Sequence, residues 1–170
     1  MTVHEAIQKR FSARSYLDKP VEQEKLERVL EAARLAPSAG NRQEWRFVVV
    51  RDAATRKLLA DAANGQAFVG QAPVVIAACA AGEQHVMSCG QLCYPIDVAI
   101  ALEHIALQAT EEGLGTCWIG AFKEDEVRKI LGIPADVRVV ELMPLGYPAT
   151  DGSPKRRLSS EEIVKWEKWS

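Results

Sequence analysis

The stretch from Pro95 to Gly113 constrains the fold more than any other part of the chain. Val98, Leu102, Ile105 and Ala109 recur at helical spacing, and Ala99, Ala101 and Ala106 are small enough to let neighbouring elements approach closely. Pro95 suits a first helical turn and Gly113 a stop, so a buried central helix is predicted between them. Everything else has to pack around it.

The flanking segments supply the material. Thr2 followed by Glu5 is a capping-box pattern that starts a short first helix carrying Val3, Ala6 and Ile7. Over 21–36, Leu26, Val29, Leu30 and Ala33 define an amphipathic helix that Pro37 ends. Residues 46–50 read as a strand, 53–63 as a helix, 64–66 as a turn and 73–80 as a fully buried strand. Residues 82–94 lack periodicity and are expected to form a loop or short lid, with Met87 and Tyr94 as candidate pocket walls. A helix over 124–131 and a strand over 137–143 follow. A last helical segment over 160–168 carries Trp166 and Trp169, and tryptophans on so short a tail point to a partner surface.

Composition excludes several classes. A chain of 170 residues, 48% hydrophobic and 26% charged, fits a single globular domain. With 21 basic and 23 acidic residues, its net charge of -2 offers no global field for nucleic acid or a membrane surface. The apolar run 74–81 is far short of the roughly 18 or more residues of a membrane span. Met1-Thr2-Val3-His4-Glu5 does not open a secretory signal, so a cytoplasmic location is expected. Cys79, Cys89, Cys93 and Cys117 are then read as free thiols, and the C-x3-C pair Cys89 and Cys93 has no second pair to complete a metal site. No metal is expected. His104 beside Glu103 on the central helix reads as structural.

No motif declares a nucleophile. The chain offers cationic and amide groups in turns, which suit an anionic cofactor with a phosphate at one end and an electron-accepting ring at the other. Arg10, Ser12 and Arg14 alternate, so an extended backbone would point all three one way, although a solvated basic turn would look the same. Pro37-Ser38-Ala39-Gly40-Asn41-Arg42-Gln43 is a polar loop between a helix and a strand, where binding residues are commonly carried. Gly113-Leu114-Gly115 resembles a phosphate loop only superficially, because a dinucleotide fingerprint needs a strand before the glycines and a helix after them.

Taken together, these segments resemble the nitroreductase family of FMN-dependent oxidoreductases. R-x-S-x-R-x-Y is matched by Arg10, Ser12, Arg14 and Tyr16, and P-S-x-x-N-x-Q-x-W by Pro37, Ser38, Asn41, Gln43 and Trp45. G-L-G-T-C-W-I-G stands at 113–120, P-L-G-Y-P at 144–148, and a K-x-R pair at Lys155 and Arg157. Glu44 departs from the family's usual proline.

The resemblance implies an α+β sandwich, a central mainly antiparallel sheet flanked by helices, in an intertwined homodimer of single-domain subunits (1–170) whose tail, about 158–170, packs on the partner. It places Arg10, Ser12, Lys155 and Arg157 around the FMN phosphate and Arg14 at the ribityl chain and pyrimidine edge. Pro37, Ser38, Ala39 and Asn41 would come from the other subunit, with Gln43 as an additional polar contact. The segment Ile119, Gly120, Ala121 would bring backbone N–H groups to flavin N5 and O4, and Asn64 and Gln66 would reach the pyrimidine. The implied activity is hydride transfer from NADH or NADPH to FMN, then reduction of a small-molecule acceptor such as a nitroaromatic or quinone, in a ping-pong scheme. Two rivals share these motifs: a flavin-binding storage or sensor module without turnover, and a flavin-fragmenting or dehalogenating branch of the same fold.

Overall fold

A computed structural model describes residues 1–152 and 155–169. Its helices are α1 (Val3–Lys9), α2 (Gln23–Arg34), α3 (Ala53–Ala62), α4 (Ala67–Gln71), α5 (Cys93–Glu111), α6 (Glu124–Leu131) and α7 (Ser160–Ile163), and its strands β1 (Trp45–Val50), β2 (Val74–Ala80), β3 (Gly115–Thr116) and β4 (Arg138–Gly146). The strands form one antiparallel sheet in the order β1-β2-β4-β3. The fold is α+β, as the resemblance implied. None of the described helices is long and apolar enough to cross a membrane.

The sheet is covered on both faces, which is why β2 is buried at every residue. Alternation divides its side chains. Val74, Ile76, Ala78 and Ala80 of β2, with Met143 and Leu145 of β4, pack against Leu26, Val29 and Ala33 of α2 and Val98, Leu102, Ile105 and Ala109 of α5. Val75, Ala77 and Cys79, with Val139 and Leu142, pack against Leu59 of α3, Val69 of α4 and Val127 of α6. Fully burying a Val, Leu or Ile is worth about 1.5–3 kcal/mol, so this two-sided core sets the stability of the sheet. The β2/β4 ladder steps from Ala78↔Glu141 to Cys79↔Val139, which leaves Val140 as the extra residue of a bulge.

Several expectations are corrected. The central helix starts at Cys93, two residues before Pro95. Tyr94 therefore sits in its first turn with a ring only 7% exposed, and its hydroxyl accepts from Arg138 Nη1 at 3.3 Å. It packs in the core with Val98 and Leu102. β4 runs three residues past the predicted end, through Pro144, whose carbonyl accepts from the Tyr16 hydroxyl at 3.3 Å. α4 was not predicted. The tail helix is one turn, with a Ser159/Glu162 capping box, and not the nine residues expected; Ser170, at the end of the expected tail, lies outside the described residues.

Candidate functional site

The N-terminal segment becomes a cation carrier because α1 ends at Lys9. Arg10 is its C-cap, donating its N–H to the Ala6 carbonyl, after which the backbone extends. Ser12 forms a parallel bridge with Thr116, and the Ala13 N–H donates to the Thr116 carbonyl at 2.9 Å. Ala13 is buried while Ser12 and Arg14 are exposed, so the two polar side chains share the outer side. Gly115 makes this contact possible: a Cβ there would lie 2.8 Å from the Ala13 Cβ.

The K-x-R pair returns to the same place. Lys155 Nζ donates to the carbonyls of Ile7 and Gln8 at 2.7 and 2.6 Å, closing the C-terminal end of α1 with a cation. Its pKa is lowered by desolvation and then by the positive charges of Arg10 and Arg157. Arg10, from the other end of the chain, and Arg157 therefore both stand close enough to Lys155 to repel it. Their carboxylate neighbour is Glu103, 3.6 Å from Arg10 Nε, and Arg157 bonds only to the carbonyl of Arg156 among the described residues.

The amide half is built from two turns. Ile119 is locked to β4, its N–H donating to Leu142 O at 2.9 Å and its carbonyl accepting from Leu142 N–H at 3.1 Å. Gly120 and Ala121 follow as exposed residues, and neither N–H finds an acceptor in the chain among the described residues. Asn64 Nδ2 and Gln66 Nε2 both donate to the Ala121 carbonyl, at 3.2 and 3.3 Å. The 64–66 turn thus fixes the 119–121 segment from behind. Cys117 connects the two halves: burial raises its thiol pKa, while Arg14, a hydrogen bond with Ser12, and Arg10 lower it.

The loop after α2 is a third component. Gly40, Asn41 and Gln43 all have φ near +55°, at 57, 54 and 52°. Asn41, Gln43 and Asn64 are three of the four described non-glycine residues in the left-handed region, and such residues concentrate at ligand clamps. Ser38 Oγ accepts from the Gln43 N–H at 3.0 Å and Asn41 Oδ1 from Gln43 Nε2 at 3.1 Å. The Ala39 N–H donates to Asp97 Oδ1 of α5 at 3.1 Å. Among the described residues no hydrogen bond or ion pair joins 37–43 to the cationic or amide groups of the same chain. Pro37 is exposed. Glu44, at the family's proline position, is buried with its carbonyl accepting from the Ala81 N–H, so it belongs to the β1 start and not to the exposed loop.

Sequence reasoning overlooked two buried or half-buried carboxyls. Asp97 is 3% exposed and anchors the loop; within an apolar helix it reads only as an interruption of the stripe. Glu141 on β4 stands beside Gly120, and an acid alternating with apolar residues looks like the solvent face of a strand. His104 is structural, its Nδ1 donating to the Ala32 carbonyl at 3.1 Å. Cys79, Cys93 and Cys117 are buried and Cys89 exposed, all as free thiols. An open cleft of about 680 Å³ lined by Tyr16, Lys19, Arg51 and Arg56 lies away from these groups. Its guanidiniums are already committed, Arg51 to Val21 O and Gln23 Oε1 and Arg56 to the carbonyls of Gly70 and Ala72.

Comparison with known proteins decides the family. The model of the nitroreductase family matches residues 7–69 and 62–147. This chain belongs to the nitroreductase family. It is 36% identical to an NADH dehydrogenase of Thermus thermophilus over 93% of this chain and 92% of that protein, and 31% identical to an FMN reductase [NAD(P)H] of Bacillus subtilis over 89% and 68%. Among solved structures it resembles a nitroreductase family protein of Clostridium difficile 630, with a TM-score of 0.89, 34% identity, and coverage of 99% and 100%. The two halves built on β3 and β4 are thus set in a nitroreductase fold.

Proposed function

We propose that this nitroreductase family member is an FMN-dependent NAD(P)H oxidoreductase that reduces nitroaromatics, quinones or related acceptors by a ping-pong scheme. It works as an intertwined homodimer of single-domain subunits in the cytoplasm. The observation that carries this reading is the convergence, on either side of Cys117, of a cation cluster in which Arg10 and Arg157 repel Lys155 and of two backbone N–H groups with no acceptor among the described residues. A doubly charged phosphate relieves the first and an electron-rich ring edge satisfies the second, so the residues present fit FMN.

When bound, FMN supplies two-electron hydride chemistry between a nicotinamide and the acceptor. The chain supplies the field around it. Arg10, Ser12, Lys155 and Arg157 hold the phosphate, and Arg14 brings positive charge to the pyrimidine edge, where negative charge accumulates. Gly120 and Ala121 donate their N–H groups at the opposite edge, and Asn64 and Gln66 keep that peptide oriented through the Ala121 carbonyl. The loop bearing Pro37, Ser38, Ala39, Asn41 and Gln43 completes the site from the other subunit, which agrees with its lack of polar links to the cationic half within one chain.

The test is the visible spectrum of purified, FMN-supplemented protein before and after anaerobic NADH or NADPH, followed by nicotinamide oxidation with a nitroaromatic or quinone, with and without a chelator. Flavin absorbance that the nicotinamide bleaches and the acceptor restores, unchanged by chelator, supports the reading. Protein that takes up no FMN, or bound flavin that neither nicotinamide bleaches, overturns it.

A further inference from the structure

Glu141 is a carboxyl for which the scheme above has no use. It stands on β4 next to the bulge at Val140, opposite Ala78 of β2, and is half-buried. Its side chain has no hydrogen bond or ion pair among the described residues. A Cβ on Gly120 would meet Glu141 Oε1 at 3.6 Å and Oε2 at 3.7 Å. The carboxyl therefore lies within contact distance of position 120, beside a peptide segment whose Gly120 and Ala121 N–H groups have no acceptor among the described residues.

Its surroundings leave it responsive to charge. Burial pushes its pKa up to about 7, and no charged partner contributes. The Cys117 thiol, on the segment leading to Gly120, feels Glu141, and the same thiol feels Arg14 and Arg10 of the N-terminal segment. β2 places Ala78 opposite it and the thiol of Cys79 next along, a group held protonated by burial and by Glu124. At the start of β4, Arg138 is paired with Glu124 of α6 at 2.9 Å, and on α5 Asp97 is turned to the Ala39 N–H. An unpaired carboxyl in such a place answers strongly to a new charge nearby.

We propose that Glu141 is a positioning residue that couples proton uptake to electron uptake at the site, gaining a proton from water as the flavin gains hydride from NAD(P)H. The inference rests on the flavin reading above. Breaking the nicotinamide C4–H bond moves two electrons and one proton to the ring and leaves NAD(P)+, which adds one negative charge to the site; the proton on a Glu141 Oε cancels it. A quinone then takes the hydride from the ring and a proton from water while Glu141 gives its own proton back to water, so the quinol forms and the carboxylate returns to its starting state.

The experiment is a spectroelectrochemical titration of the FMN-loaded protein and its Glu141→Gln variant over a range of pH. Above pH 7 the wild-type midpoint potential should fall with the steeper slope of two protons per electron pair, and that of the variant with the slope of one; below it the two should run parallel. Equal slopes at every pH, with flavin bound in both proteins, overturn the inference and leave the flavin reading intact. Protein that binds no FMN overturns both. Should the variant fail to fold, an infrared difference spectrum of the wild type above pH 7 decides: a protonated-carboxyl band that grows on reduction supports the proposal, and its absence overturns it.

Discussion

Arg157 illustrates how little of this site is committed to holding the fold together. Its guanidinium bonds only to the carbonyl of the residue before it among the described residues, so Arg157→Ala should leave folding unchanged. FMN binding should weaken by about 1–3 kcal/mol, the range for losing a charge-assisted hydrogen bond, read as roughly a five- to 150-fold rise in Kd by flavin fluorescence quenching. An unchanged Kd would remove Arg157 from the site. Lys155 differs, because its contacts with Ile7 and Gln8 also close α1, and its replacement would mix folding with binding. Gly115 is the other sensitive residue. Gly115→Ala puts a methyl 2.8 Å from the Ala13 Cβ, so the Ser12–Arg14 backbone must move away from β3. Weaker FMN affinity with a near-native melting temperature is the expected pattern, and unaltered affinity would mean that the bridge does not set the cation positions.

Elements were legible in the sequence wherever the ends carried chemistry. α6 matches its expected range, 124–131; three acidic residues open it and Gly132 closes it with φ of 65°. The capping box of Thr2 and Glu5 gave α1 in the same way. α4 escaped because it spans five residues and Gln66 supplies no side-chain cap. The tail helix was read too long because Trp166 and Trp169 mimic an apolar stripe, whereas the backbone leaves the helix at Val164 and Glu167 takes a φ of 63°. The cationic residues were found through ordered motifs. Asp97 and Glu141 were not, since what marks them is the contact each makes across the sheet or loop. α5 allows a direct test of the layer argument: Leu102 is fully buried between the sheet and α2, and Leu102→Ala should cost about 2–5 kcal/mol, measured by denaturant unfolding. A cost below about 1 kcal/mol would mean that α5 is not the element around which the core is built.

At the scale of the whole molecule, the exposed C-terminal segment stands out. Trp166 is 81% and Trp169 94% exposed, with Leu158 and Ile163 at 65 and 66%. So much apolar surface on a short tail calls for a covering partner. A chain ending after Arg157 keeps its cations yet should lose the proposed dimer and, with it, its FMN, because the proposed site takes its two faces from different subunits. Sedimentation with simultaneous detection at protein and flavin wavelengths measures both: a truncated protein that remains a flavin-loaded dimer refutes the tail's role in the interface, and a flavin-loaded monomer refutes the shared site.

The left-handed backbone at Gly40, Asn41 and Gln43 bears on time. Those conformations are already set within the chain by Asp97, Ser38 and the Asn41 side chain, so no segment has to search for its shape after a ligand arrives. In the proposed site the loop would act as a template and not as a gate. Cofactor capture should then follow a single exponential whose rate rises linearly with FMN concentration, governed by encounter and steered by Arg10, Arg14, Lys155 and Arg157.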